Sequence, residues 1–254
     1  MQRIRLRYAK RGRLRFTSHR DFSRAFERAI VRARVPMAYS SGFNPHPRIS
    51  YAGASPTGAA SEAEYVEIGL ARETEPAEVL AALDEALPPG LDVLEAAVSP
   101  GGSLADLLEA SVWRTRVPDL APEAAERAVA AFLETKEVLV ERMTKKGLRT
   151  FDCRAAVVSL SSSSASRSAS RSASRPDSPS ESGPPAGSEE CAILEMVLRH
   201  GTPSVRPDDV LAGLRSISGL GAVAAPFHER LAQGPLHPEA GTVGDPLALN
   251  RDTA

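Results

Sequence analysis

The hydrophobic period changes once within residues 2 to 34, and that change restricts the fold more than any other feature. Over residues 2 to 8, Ile4, Leu6 and Tyr8 fall on one face and Arg3, Arg5 and Arg7 on the other. That alternation marks a half-buried strand. After the Lys10-Arg11-Gly12 turn, Arg13-Leu14-Arg15-Phe16 alternates again and reads as a second short extended run. Phe22, Ala25, Phe26, Ala29, Ile30 and Ala33 then recur at helical spacing, which predicts an amphipathic helix over 18–34 that ends before Pro36. A strand with one greasy face followed by a helix with one greasy stripe calls for a layered sheet-and-helix packing.

The pattern continues after a Gly/Pro loop from Tyr39 to Pro47, with expected strands at 48–53 and 62–70, a helix at 75–87 and a strand at 91–98. The order βαββαβ suits a ferredoxin-like sandwich, two helices on one face of an antiparallel sheet. Ser99 to Ser103 interrupts it, and a second run of elements follows: strand 111–117, helix 121–135, strands 137–142, 148–152, 155–160 and 191–198, and helix 206–215. The expected fold is therefore α+β, two tandem ferredoxin-like sandwiches spanning 1–100 and 107–225. Residues 161–190 are rich in Ser, Pro and Gly and include Ser166-Arg167-Ser168, with too few apolar groups to offset ordering entropy. They read as a disordered insertion in a hairpin, and 232–254 reads as a disordered tail.

A chain of 254 residues with 42% apolar content can fill two cores of this size. No stretch approaches the roughly 20 apolar residues of a membrane span, and a cytoplasmic location is the expectation. Cys153 and Cys191 form neither a disulfide framework nor a metal-ligand spacing, so no cofactor is expected. The net charge of -1 conceals a block pattern. Residues 1–60 hold 13 Lys/Arg against 2 Asp/Glu, whereas residues 61–135 hold 4 against 16. Such polarity points the first block at an anionic partner unless the second block neutralises it.

Candidate site residues lie within that cationic block. Arg20, Arg24, Arg28 and Arg32 stand four apart, drifting about 40° per step and forming one stripe along the helix. With Arg3, Arg5 and Arg7 from the strand they are the candidate RNA contacts, the competing reading being a solvated, salt-bridged face. Ser18 and Asp21 have the spacing of a capping box, while His19 is left for a base, a ligand or simple packing. The loop Tyr39-Ser40-Ser41-Gly42-Phe43-Asn44-Pro45-His46-Pro47 holds His46 between two prolines, and Tyr39 and Phe43 offer rings for base stacking. A structural loop with Phe43 buried is the alternative. His19, His46 and Asp21 are the candidate catalytic residues, with Glu62 and Glu64 as possible carboxylates. Tyr39, Gly42, Phe43, Asn44 and His46 define the loop site.

Phe16-Thr17-Ser18-His19-Arg20-Asp21, the Tyr39–Pro47 string, Gly58, Glu62-Ala63-Glu64-Tyr65, Val140-Glu141-Arg142 and Arg149-Thr150-Phe151-Asp152 together resemble the DUF2344 family, the radical SAM-linked proteins of bacteria. The resemblance covers about residues 2–220. It departs at Arg20, where a Leu is expected, at Ala54-Ser55-Pro56-Thr57, and in the Ser/Arg insertion. It implies a separate radical S-adenosylmethionine protein as partner. The chain lacks the Cys-x3-Cys-x2-Cys triplet for that cluster, so the radical chemistry belongs to the partner. Three functions remain open: an accessory protein presenting tRNA or rRNA for modification, a metal-independent RNA-processing enzyme using His19 and His46, and a subunit whose basic face docks a protein.

Overall fold

The structure, a computed structural model, describes residues 1–144, 147–164, 191–221 and 224–248. In chain order it forms β1 (Gln2–Lys10), α1 (His19–Arg32), β2 (Ile49–Ala52), β3 (Ala60–Leu70), α2 (Pro76–Ala86) and β4 (Val93–Val98). There follow β5 (Ala110–Pro118), α3 (Pro122–Glu134), β6 (Leu139–Thr144), β7 (Gly147–Asp152), β8 (Val157–Ser164) and β9 (Cys191–Arg199). The chain ends with α4 (Pro207–Ser218), β10 (Phe227–Gly234), β11 (Leu236–His237) and β12 (Thr242–Val243). This is a mixed α/β fold with a multistranded sheet and four helices among the described residues. No helix among them is long and apolar enough to cross a membrane, and both cysteines are free thiols.

The residues divide into two compact units, and the division differs from the expected 1–100 and 107–225. Of the described residues, the first takes in 1–113, 197–204 and 228–248; the second takes in those within 114–164, 191–196 and 205–227. β5 and β9 each run from one unit into the other.

In the first unit, β1 lies between β4 and β3 and pairs antiparallel with both. The far edge of β3 is shared. β2 pairs antiparallel with residues 65–68, and β10 pairs parallel with Ala60 and Ser61. Ile4, Leu6, Val66, Ile68 and Leu70 face α1 and α2 and form the main core with Phe22, Phe26, Ile30, Val79 and Leu83. The opposite face carries Arg3, Arg5, Arg7 and Glu67, which are ion-paired there, and a smaller core built on Tyr65, Leu104, Leu108 and Leu247.

α1 is defined at both ends by local chemistry. The Ser18 Oγ accepts from the Asp21 N–H at 3.2 Å, and the hydroxyl donates to Asp21 Oδ2 at 2.6 Å. At the other end Arg34 enters the left-handed region at φ 52°, and the Val35 and Arg34 N–H groups donate to the Ile30 and Val31 carbonyls. This is the paired closure of a Schellman motif. The chain then reaches Pro36 and cannot continue the helix.

In the second unit, β9 lies between β5 and β8, α3 packs against α4 and β8, and β6–β7 is a separate antiparallel hairpin. Gly213 lets α4 approach closely: a Cβ there would stand 2.8 Å from Cys153 Sγ and 2.9 Å from Val138 Cγ1.

Three expectations need correction. Residues 13–16 are not extended; Gly12–Phe16 forms a 3₁₀ turn, because Gly12 takes φ 53° and the Leu14 N–H closes back on the Arg11 carbonyl. The disordered tail does not begin at 232: β10, β11, β12 and the buried Leu247 occupy residues 227–248, anchored by buried polar side chains that hydrophobic periodicity does not register. Residues 249–254 lie outside the described residues. The insertion reading at 161–190 falls mostly outside them as well, although Ser161–Ser164 belong to β8.

Candidate functional site

The structure separates the arginines of the cationic block into two groups. Those on β1 are occupied. Glu67 receives Arg3 Nη1 on Oε1 at 3.0 Å and Arg5 Nε on Oε2 at 2.9 Å, and Arg7 pairs with Glu95 at 3.1 Å. Arg5 is 1% exposed and also donates to the Gly101 and Gly102 carbonyls, so burial keeps it from a phosphate at the surface. Arg11 bridges Glu62 and Asp92. The acidic block therefore meets the strand and turn arginines.

It does not meet the helix stripe. Arg20, Arg24 and Arg28 are exposed on α1, with no ion pair to any carboxylate among the described residues; of the two acidic residues between them, Asp21 is engaged at the cap by Ser18 and Glu27 is exposed. Arg32 departs from this pattern. Its Nη1 donates to the Ala86 carbonyl at 3.1 Å, closing the C-terminal end of α2. Three 40° steps from Arg20 carry Arg32 around toward the neighbouring helix.

The Tyr39–Pro47 loop is a short hairpin with backbone pairing at its stem. Tyr39 bridges Pro47, the Ser40 N–H donates to the His46 carbonyl at 2.9 Å, and the His46 N–H returns to Ser40 Oγ at 3.0 Å. Gly42 turns the tip with φ 134°. Phe43 is fully exposed at 106% and Tyr39 half exposed, which overturns the buried-Phe43 alternative. Asn44 and His46 are also exposed. An exposed Phe loses hydration free energy on a large ring, so it is maintained there at a cost and is available for stacking.

No hydrogen bond or ring contact joins the candidate catalytic residues His19, His46 and Asp21 among the described residues. His19 is exposed and sits edge-on to Tyr51 with ring centroids 5.0 Å apart. Asp21 serves the α1 cap. Glu62 is held by Arg11, and Glu64 is 2% exposed and paired with Arg230, so both carboxylates are engaged by arginines.

Sequence reasoning missed the buried polar cluster around Glu64. Arg230 on β10 donates to Glu64 Oε1, to Ser61 Oγ at 3.2 Å and to Gln233 Oε1 at 2.9 Å, and lies over the Trp113 ring. The Ser55 N–H donates to Glu64 Oε2 at 3.1 Å. Burial pushes the Glu64 carboxyl up, but Arg230, Ser61, Lys10 and the Ser55 N–H outweigh it and hold it below its usual value. Lys10, 5% exposed, has its amine pushed down by burial, and Tyr8 is raised well above its usual value by burial and then by Glu64. His200 bridges the Leu108 carbonyl and Ser111 Oγ, its pKa lowered by burial. Arg230 carried no sequence signal, since it stands in a polar stretch 166 residues from its partner.

Together these features describe a mixed α/β protein with a closed ionic core, an exposed arginine stripe and a projecting aromatic loop. A model of bacterial proteins, described as uncharacterized proteins conserved in bacteria (DUF2344), matches residues 3–207, and the chain belongs to that family. β10 to β12 lie beyond the matched residues. A search of curated proteins finds no match.

Proposed function

We propose that this chain is an RNA-binding accessory protein that presents tRNA or rRNA to a separate radical S-adenosylmethionine enzyme. The observation that carries the reading is that Arg20, Arg24 and Arg28 stand exposed without carboxylate partners, while Arg3, Arg5, Arg7 and Arg11 of the same block are ion-paired. Like charges four apart on a helix cost about 0.2–0.5 kcal/mol per pair, a cost that polyanion binding reverses. Phe43, fully exposed on a loop with a hydrogen-bonded stem, supplies a face for an unpaired base. We read the first unit, with strand order β4-β1-β3-β2 and both helices on one face, as a ferredoxin-like platform for these groups. The radical partner rests on the family resemblance of the loop and capping motifs. No observation favours the His19/His46 acid–base alternative.

The test is binding of tRNA and rRNA fragments across a salt titration, with Arg24→Glu/Arg28→Glu beside the unaltered protein. Affinity of the unaltered protein is expected to fall steeply with salt. Losing two phosphate contacts flattens the log–log slope by about 1.4 on single-stranded RNA. Absence of binding at low salt, or an unchanged slope in the variant, refutes the reading.

A further inference from the structure

The groove at the foot of the Tyr39–Pro47 loop belongs neither to the arginine stripe nor to the Glu64 cluster. It holds about 660 Å³ beside Arg3, Ser40, Pro47, Arg48, Ser50 and Glu67. A volume of this order suits one small organic ligand rather than an extended surface.

Its charge does not close. Glu67 Oε1 takes Arg3, and Oε2 takes both Arg5 and the Ser99 hydroxyl, the latter at 2.7 Å. Arg48 also lines the groove and pairs with no carboxylate among the described residues, since both Glu67 oxygens are taken by Arg3, Arg5 and Ser99. The Arg3 side chain remains 42% exposed. Exposed guanidiniums with donors left over suit an anion. The backbone makes room for this arrangement. A Cβ on Gly69 would lie 3.1 Å from Arg48 Cβ and 3.5 Å from its Cδ, so the bare glycine gives the Arg48 stem room to lie across the sheet. Arg48 Nε donates to the Tyr39 carbonyl at 3.3 Å, tying its head to the loop.

We propose that this groove seats a single nucleoside monophosphate unit, with its phosphate on Arg3 and Arg48 and its base against Pro47. The unit is a free nucleotide or one residue of a bound strand, and in the second case the site rests on the RNA reading above. Arg24 and Arg28 take no part in it.

The probe is adenosine monophosphate, followed by NMR titration and calorimetry on the full chain. Binding with a Kd below about 1 mM is expected. Arg48→Gln is expected to weaken it by about tenfold, Arg3→Gln/Arg48→Gln to abolish it, and Arg24→Glu/Arg28→Glu to leave it unchanged. Adenosine and inorganic phosphate, each lacking half of the ligand, should bind more weakly. Arg48→Gln is the decisive variant, because the Arg48 side chain donates only to the Tyr39 carbonyl among the described residues and its change leaves the Glu67 network in place. No binding of the monophosphate, or binding insensitive to Arg48→Gln, overturns the proposal even where RNA binds. Monophosphate binding without RNA binding keeps the groove as a free-nucleotide site and removes the RNA reading instead.

Discussion

Lys10 shows how one buried side chain links charge to stability. It is 5% exposed, and its Nζ reaches only the Ser55 and Pro56 carbonyls, at 3.5 and 3.4 Å. Burial lowers its pKa, partly opposed by Glu64. A lysine whose folded pKa is depressed carries its full burial penalty below that value. Between the folded pKa and the unfolded value near 10.4 the unfolded chain binds the extra proton, so stability rises with pH. Urea unfolding from neutrality toward pH of about 10 is therefore expected to show the unaltered protein gaining stability relative to Lys10→Met. A constant difference between the two would show that the Lys10 proton is not coupled to folding. Glu64 acts in the opposite region, its contribution present above its unfolded value and lost as pH falls through the lowered folded one. The sequence placed Lys10 in a turn beside a cationic surface; only its neighbours reveal it as buried.

At the scale of elements, the helices and most strands were legible because each must bury a face of its own. The expected helix over 18–34 is α1 at His19–Arg32, and the expected strand over 62–70 is β3 at Ala60–Leu70. The 3₁₀ turn at Gly12–Phe16 was misread, since four alternating residues carry too short a period to outweigh one glycine in the left-handed region. Close packing of elements left no sequence trace either. α4 meets Cys153, Val138 and Phe132 through Gly213, a helix-interior glycine that propensity alone counts as a defect. Gly213→Ala gains about 1 kcal/mol of helix propensity. It also pushes a Cβ to within 3.0 Å of three core atoms, an overpacking worth about 1–3 kcal/mol. Net loss of stability is expected in denaturant unfolding, and a gain would mean that α4 shifts freely. Burial in the same place pushes the Cys153 thiol up to about 12 and keeps it protonated.

Across the whole molecule, the dominant fact is that residues 227–248 return to complete the first unit. β10 adds to β3 in parallel and delivers Arg230 to Glu64, both nearly fully buried. Removing one member of such a pair strands the other charge in the core. Arg230→Met is expected to cost about 3–5 kcal/mol in urea unfolding, while Arg230→Met/Glu64→Leu recovers most of the loss, because an apolar pair pays no desolvation. A mild effect of the single change would mean that water reaches Glu64. What the sequence determined by itself was the set of α1 to α4 and β1 to β9, the cap at Ser18, the family motifs and the existence of a cationic block. Periodicity reports burial within a local segment, and charge counting reports supply. Tertiary structure alone decided which arginines are spent and which remain exposed, that Phe43 projects, that His19 and His46 share no contact, and that the polar tail is part of the core. Those outcomes depend on partners far apart in the chain, 62 residues for Arg5 and Glu67 and 166 for Glu64 and Arg230, and no local pattern encodes a pairing at that separation.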